Sequence, residues 1–440
     1  MTPRQLDPTT AFARATELAS SRRRAILGVT GAPGAGKSTY AETLTAKLAA
    51  EGHKVALVPM DGYHLAQASL EELGVLVERM GEKPFRARQL FRWIHHKGAG
   101  SMEEMTDLPR PFRERLSRET RLTTLAVDAV QRSSDGTRKY RLRTEDGKFI
   151  EAVYMPEEPG PDAFDPEADD EDEPGRKRAR RTLCVSTQVG CAMGCGFCMT
   201  ATMGLVRNLT PGEIADQVYR VNADLRDVPG VDPQRPLTNL VYMGMGEPLH
   251  NYVNVKRSLD LLLHPEGANF SHRHVTVSTS GLVPNIQRLG EETRVKLAVS
   301  LNATTDEQRA RLMPVDKKWN IAALIDACRK FPMKYGRRIT FEYVLLKDVN
   351  DTDADARRLA DLLAGLPAKV NLIPYNENPG LEFGDPGAER VQAFRRILEG
   401  RGFAAMVRKN RGRDISAACG QLAVAGQKEA PIRLGARAWF

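Results

Sequence analysis

Three cysteines, Cys191, Cys195 and Cys198, fall within eight residues in the run CAMGCGFC. Their spacing, C-x3-C-x2-C on a glycine-containing loop after an apolar strand, lets three thiolates converge on one metal centre. A structural zinc wants four ligands, from paired CxxC units or histidine, and no such partner stands nearby. A four-iron cluster held by three thiolates leaves its fourth iron open to a substrate. The other cysteines, Cys184, Cys328 and Cys419, are isolated in sequence. Six cysteines are too sparse for a disulfide scaffold, and the crowding of three of them points to metal ligation in a reducing compartment.

A second constellation is GAPGAGKS, in which Gly31, Gly36, Lys37 and Ser38 fit G-x-x-x-x-G-K-[ST]. Backbone amides of such a loop cradle phosphates, Lys37 would neutralise terminal oxygens, and Ser38 would hold Mg²⁺, so ATP with Mg²⁺ is the expected ligand. A third set lies at the ends of apolar strands: Gly246 and Glu247 of GMGEP, Ser278 of VSTSG, Ser300, Leu301 and Asn302 of SLN, and Asn376 of NLIPYN. Strand ends are where barrel enzymes bind ligands, and Glu247 would accept from a ligand ammonium. Taken singly, each is more often a turn or cap residue.

The elements that must carry these groups follow from pattern. AILGVTG, the glycine-rich loop, TYAETLTAKLAAEGHK and VALVPMDG read as strand, loop, helix and strand, the opening of a nucleotide-binding fold over residues 1–67. SLEELGVLVERMG and FRARQLFRWIHHKG give apolar residues at helical spacing among arginines, a small helical domain with a cationic face over 68–124. Alternating residues with DG turns over 125–156 predict an antiparallel β linker. Residues 157–181 run from strongly acidic to RKRARR with almost nothing apolar to bury, which predicts a disordered insertion. From 182 to 427, TLCVSTQ, NLVYMGMG, HVTVSTSG, VKLAVSLN, RITFEYVLL and KVNLIPYN alternate with helical stretches, the rhythm of a parallel (β/α) barrel, partial or full; 428–440 is a tail. The fold class is therefore α/β.

Bulk properties agree. The chain has 440 residues, 41% of them hydrophobic, and a formal charge of +8 that suits a polyanionic partner. No apolar run approaches the roughly 20 residues of a membrane span, and no secretory signal is legible, so a cytoplasmic protein with no membrane partner is expected.

The cysteine spacing resembles that of the radical S-adenosylmethionine superfamily. With CVSTQVGCAMGCGFC, VYMGMGEPL, VSTSGLVP, SLNATTDEQR, NLIPYN and RGRDISAACGQL, the resemblance narrows to the dual-specificity adenine carbon-2 methyltransferases of 23S ribosomal RNA and transfer RNA, from about Ser69 to Gln427. It implies a [4Fe-4S] cluster, two S-adenosylmethionine molecules per turnover, an electron donor such as flavodoxin or ferredoxin, and a monomer. The helical domain would then bind RNA. It also implies that Cys419 is first methylated, and that a 5′-deoxyadenosyl radical takes hydrogen from that methyl. The methylene radical then adds to carbon 2 of adenine. Cys184 would release the product by forming a disulfide with Cys419, and Glu151 would accept the proton. On residue pattern alone Cys184 is a buried strand residue, as Cys328 is a buried helical one. Where the family often carries histidine, this chain has Asn302.

The N-terminal segment, with VPMDGYHLA, is similar to the start of the uridine and pantothenate kinases, which would put Asp61 near a phosphate acceptor. About seventy residues leave no room for the rest of such a kinase, so an appended nucleotide-binding module is expected. Three other readings stay open on sequence: a carbon-8 adenine methyltransferase, a small-molecule kinase, and a nucleotide-responsive RNA-binding protein with a structural cluster.

Overall fold

The computed structural model describes residues 37–53, 63–157, 179–333, 337–378 and 380–423, with several between 12 and 20. The chain divides into two units, Met1–Tyr63 and His64–Phe440. In the first, helix α1 (Lys37–Ala50) buries Leu44 and Leu48 against Ala15, with Phe12 and Tyr40 packed alongside. Gly31, Gly36 and Asp61 lie outside the described residues, as do the side chains of Lys37 and Ser38, which open α1.

The second unit begins with α2 (Leu70–Arg79), α3 (Phe85–Phe91), which runs on into a wider turn, and α4 (Arg110–Glu119). A capping box starts α2: Ser69 Oγ accepts from Glu72 N while Glu72 accepts from Ser69 N. Leu73, Leu76, Val77, Leu90 and Phe91 turn inward, and Arg88 and Arg110 stand exposed, paired with Glu266 and Glu114. His95 ties these helices to the barrel. Its ring lies between Tyr219 Oη at 2.7 Å and Ala68 O at 3.0 Å, and burial depresses its pKa to about 3, so it is a neutral hydrogen-bonding group.

Segments rich in Val, Ile, Leu and Phe supply the strands: β1 (Leu125–Arg132), β2 (Arg138–Thr144), β3 (Phe149–Glu157), β4 (Arg180–Cys184), β5 (Gln188–Gly190), β6 (Leu205–Asn208), β7 (Asn239–Tyr242), β8 (Val275–Thr279), β9 (Lys296–Ser300), β10 (Ile339–Leu345), β11 (Ala368–Pro374) and β12 (Ala404–Val407). Ten form one sheet in the order β12-β11-β10-β9-β8-β7-β4-β3-β2-β1. From β4 to β12 the neighbours are parallel. The crossovers are helical: α5 (Pro211–Leu225), α6 (Tyr252–Leu263), α7 (Val283–Glu292), α8 (Asp306–Leu312), α9 (Ile321–Lys330), α10 (Asp353–Leu363) and α11 (Ala388–Gly400). Among the described residues β12 does not pair back to β4, so the parallel array is an open, partial barrel. Cys328 is fully buried in α9, as its helical spacing predicts. No described helix is long and apolar enough to cross a membrane.

Three expectations change. Residues 125–156 are no linker: β1–β3 extend the barrel's own sheet antiparallel, β3 pairing with β4 from Val153↔Cys184 to Glu157↔Arg180. Glu157, Arg180 and Arg181, assigned by charge to the insertion, are therefore strand, because ladder hydrogen bonds are made by backbone whatever the side chain. The barrel also has a further strand, β12, too short to stand out from the loop after α11.

The pairing of Glu157 with Arg180 makes the charged segment a hairpin connection. Replacing residues 158–178 with a short Asn-Gly turn should leave the thermal midpoint unchanged or raise it by a few degrees, since shortening such a loop favours folding by about 1 kcal/mol. A fall of more than about 5 °C would mean that the segment contributes contacts of its own.

Candidate active site

Because β4 and β7–β12 run the same way, their C-terminal ends and following loops meet on one side. The cysteine loop stands there, between β5 and β6, which form a separate antiparallel ribbon. Gly190 has φ +73°, and a Cβ on it would fall 1.8 Å from Gly204 O, so only glycine lets the loop close. Cys191 N then donates to Gly204 O at 2.9 Å and Cys198 N to Cys195 O at 3.2 Å.

Burial pushes the Cys191 and Cys195 thiols up, and other cysteines of the triplet and Glu247 push them further. Such thiols are poor free nucleophiles and good metal ligands, since iron takes up the thiolate charge. Among the described residues no three His, Cys, Asp or Glu side chains gather tightly enough to grip a single ion. A multi-iron cluster gives each thiolate its own iron and so accepts a wider triangle.

Beside the triplet lies GMGEP. Gly246 has φ +100°, and a Cβ there would lie 2.5 Å from that of Gln188. Gln188 Oε1 accepts from Glu247 N at 2.8 Å, and the buried Glu247 carboxylate accepts from Ser280 N at 2.7 Å and Leu249 N at 3.1 Å. Burial raises its pKa while these bonds pull it down. The Thr279 and Ser280 side chains also act on the carboxylate, lowering its pKa.

The later strand ends divide sharply. Neither Asn376 Oδ1 nor Nδ2 has a partner, although the residue is 2% exposed. A buried amide left so is costly, and a ligand's polar groups would satisfy it. Ser278 Oγ donates to Glu342 Oε2 at 3.2 Å, and the Ser300 hydroxyl also bonds that carboxylate. Asn302 makes contacts within the scaffold: at φ +56° its Oδ1 accepts from Val344 N at 2.8 Å and its Nδ2 donates to Met313 Sδ at 3.2 Å. Leu301 is likewise occupied, its N on Glu342 O at 3.0 Å and its O on Arg309 Nε at 3.1 Å.

The segment carrying Cys419 is stitched to the cysteine loop. Met199 N donates to Gly420 O at 2.8 Å and Thr200 Oγ1 to Leu422 O at 2.6 Å. On its other side the β1–β3 extension holds it: Asp135 Oδ2 accepts from Gly412 N at 3.0 Å, Lys139 Nζ donates to Ser416 O at 3.3 Å, and Glu151 Oε2 accepts from Ala423 N at 3.1 Å. Glu151 is buried on β3 with Lys139 Nζ 3.4 Å away, and desolvation outweighs that cation to raise its pKa.

Cys184, at the end of β4, belongs to the same electrostatic group as Cys419. Burial pushes the Cys184 thiol up to about 12, with Cys419 adding to the rise, and burial likewise raises Cys419. Arg408, just past β12, opposes both and lies 3.7 Å from the buried Glu342 carboxylate. The disulfide that the resemblance implies is not formed here: both cysteines are free thiols.

Sequence reading overlooked Glu342, Arg309 and Arg408. A carboxylate inside the apolar run ITFEYVL was a legible signal for Glu342. Arg309, in a polar helix, and Arg408, after an unrecognised strand, gave none.

An open parallel sheet with a three-thiol loop at the C-terminal ends of its strands defines a radical S-adenosylmethionine enzyme, and the radical SAM superfamily model matches residues 185–360. The model for the ribosomal RNA large subunit methyltransferase N-terminal domain matches residues 63–122. The chain belongs to the RlmN family of dual-specificity RNA methyltransferases. It is 60% identical over 368 residues to dual-specificity RNA methyltransferase RlmN of Anaeromyxobacter dehalogenans strain 2CP-C, spanning 84% of this chain and 94% of that one. It is 58% identical over 367 residues to RlmN 2 of Myxococcus xanthus strain DK1622, across 83% and 92%. A crystal structure of a radical SAM methyltransferase from Sphaerobacter thermophilus is 46% identical, with a TM-score of 0.73, over 82% of this chain and 99% of that one.

At the N-terminus the kinase resemblance is corrected. Residues 8–67 match the model of the methylmalonyl-CoA mutase-associated GTPase MeaB. A strand, phosphate loop and helix are common to many nucleotide-binding folds, so GAPGAGKS did not discriminate kinase from GTPase. ATP with Mg²⁺ at this loop has no support.

The orphaned amide yields a two-sided prediction. Asn376→Leu should leave the urea midpoint of the ligand-free protein unchanged or raise it, since two unsatisfied polar atoms go. Isothermal titration of the reconstituted variant should show S-adenosylmethionine binding weakened about tenfold or more.

Proposed function

We propose that this chain methylates carbon 2 of adenine in 23S ribosomal RNA and transfer RNA, carrying the methyl first on Cys419. The observation that bears most on this is the docking of the Cys419 segment on the backbone of the cysteine loop, through Met199 and Thr200. It brings a lone thiol 221 positions distant from Cys198 in sequence beside the place where a cluster would sit.

Cys191, Cys195 and Cys198 would hold a [4Fe-4S] cluster, with Glu247 and Asn376 toward the amino-acid part of S-adenosylmethionine. Bound there, cluster and cofactor supply reductive cleavage and hydrogen abstraction, with one electron from a donor such as flavodoxin or ferredoxin, and each turnover uses two S-adenosylmethionine molecules. The chain's residues do the rest. The Cys419 sulfur takes a methyl by nucleophilic displacement, for which it must be a thiolate, and the Arg408 guanidinium favours that form. Glu151, its pKa raised by burial, is suited to take the proton from carbon 2. Cys184 thiolate then attacks the Cys419 sulfur, and a sulfur–sulfur bond forms as the carbon–sulfur bond to the base breaks; the electron pair stays on the carbon, which takes a proton to complete the methyl, and an external thiol reductant returns the disulfide to two thiols. This disulfide is transient in the cycle. The exposed arginines of α3 and α4 suit contact with the RNA backbone. The enzyme acts as a cytoplasmic monomer in this reading.

Three outcomes test it. Cys419→Ala should carry no S-methyl group, and peptide mass spectrometry that finds the methylation elsewhere on the wild type would sink the assignment. Cys184→Ala should accumulate a covalent protein–RNA adduct under reducing, anaerobic turnover, because attachment proceeds and release does not. Mass spectrometry of digested RNA should place the methyl on carbon 2; a carbon-8 product would overturn the regiochemistry. The pH profile has a definite sign as well. Glu151 must be ionised to act, so single-turnover rate should fall as pH drops through its raised pKa, and Glu151→Gln should remove that acid limb.

A further inference from the structure

Arg309 is an arginine of α8 whose side chain is fully buried, an uncommon place for a permanent cation. Its guanidinium donates to Leu301 O at 3.1 Å, Ser280 O at 2.5 Å and Ser300 O at 3.3 Å, which are carbonyls at the ends of β8 and β9. It also donates to Asp316 Oδ1 at 3.1 Å. This helix lies against the cysteine loop: Gly196 N donates to Leu312 O at 2.9 Å, and a Cβ on Gly194 would sit 3.7 Å from Pro314. Arg309 and Cys195 interact electrostatically, while the Glu247 carboxylate acts on Cys191 and Cys195 with the opposite sign.

We propose that Arg309 sets the reduction potential of the cluster held by Cys191, Cys195 and Cys198, with Asp316 as the counter-charge that moderates it. The inference rests on the radical S-adenosylmethionine reading. One electron passes from a low-potential donor protein to the cluster, with no bond made or broken in this chain, and the centre becomes one unit more negative. A buried cation favours that extra charge, and a buried anion disfavours it. The shielding of Arg309 from solvent keeps its effect from being screened. The carbonyl contacts explain how the charge is kept in position without being neutralised, since three of its four partners are dipoles and only Asp316 is charged. Arg309 is thus a positioning and tuning group, touching neither base nor cofactor.

The test is an anaerobic redox titration of the full chain with reconstituted cluster, followed by electron paramagnetic resonance, with iron content and circular dichroism on each sample. In Arg309→Met the ratio of reduced to oxidised cluster at fixed potential should fall about tenfold, which is about 59 mV for one electron. Arg309→Lys, which keeps the charge and loses part of the carbonyl clamp, should stay within about twofold of wild type. Asp316→Asn, which keeps a hydrogen-bond acceptor and loses the anion, should move the ratio upward severalfold. Opposite movement in the Met and Asn variants is something a purely structural role would not produce. Three unchanged potentials, or three that fall together, overturn the inference. Should Arg309→Met fail to hold iron, Asp316→Asn alone decides: a rise supports the proposal, and no change or a fall refutes it. Absence of any cluster signal in the wild type would refute the underlying reading as well, which separates the two failures.

Discussion

The arrangement depends on a short strap of chain pinned from two sides. Residues 412–423 meet the cysteine loop through the Met199 and Thr200 hydrogen bonds and meet the β1–β3 extension through Asp135, Lys139 and Glu151. Two of these anchors, Gly412 N and Ala423 N, are backbone amides on carboxylates, stronger than neutral pairs. Were either side missing, Cys419 would sit on a loop with few contacts, and the cost of ordering it would fall on the substrate. The antiparallel extension is thus part of the site: without β2 and β3 there is no Glu151 to receive Ala423.

Charge is handled differently in the two halves of the site. Burial raises the Cys191 and Cys195 thiols and Glu247 adds to the rise, with Arg309 the cation that bears on Cys195. Around Cys184 and Cys419, burial also raises both thiols, and Arg408 works against that rise while Glu342 works with it. Arg408 is about a quarter exposed and Glu342 is buried.

The first unit stands apart chemically as well as in sequence. Its family match is to a GTPase, whereas the methyltransferase models match the second unit.

Local pattern was enough for whatever depends on neighbours in sequence. C-x3-C-x2-C marked the three-thiol loop, alternating strands and helices gave the parallel array, and apolar spacing put Cys328 in a helix core. Asn302 shows the limit: SLN marks a strand end, but that its amide accepts from Val344 depends on where β10 lies beside β9. The role of Cys419 needed family resemblance, because nothing in AACGQL says that it will lie against Met199. Arg309 and Arg408 were invisible for the same reason. An arginine in a polar helix reads as solvent-facing until packing surrounds it with carbonyls, and β12 was too brief for its periodicity to register. Tertiary structure decided these positions because burial and electrostatic partnership are set by elements far apart in the chain, which no window of sequence contains.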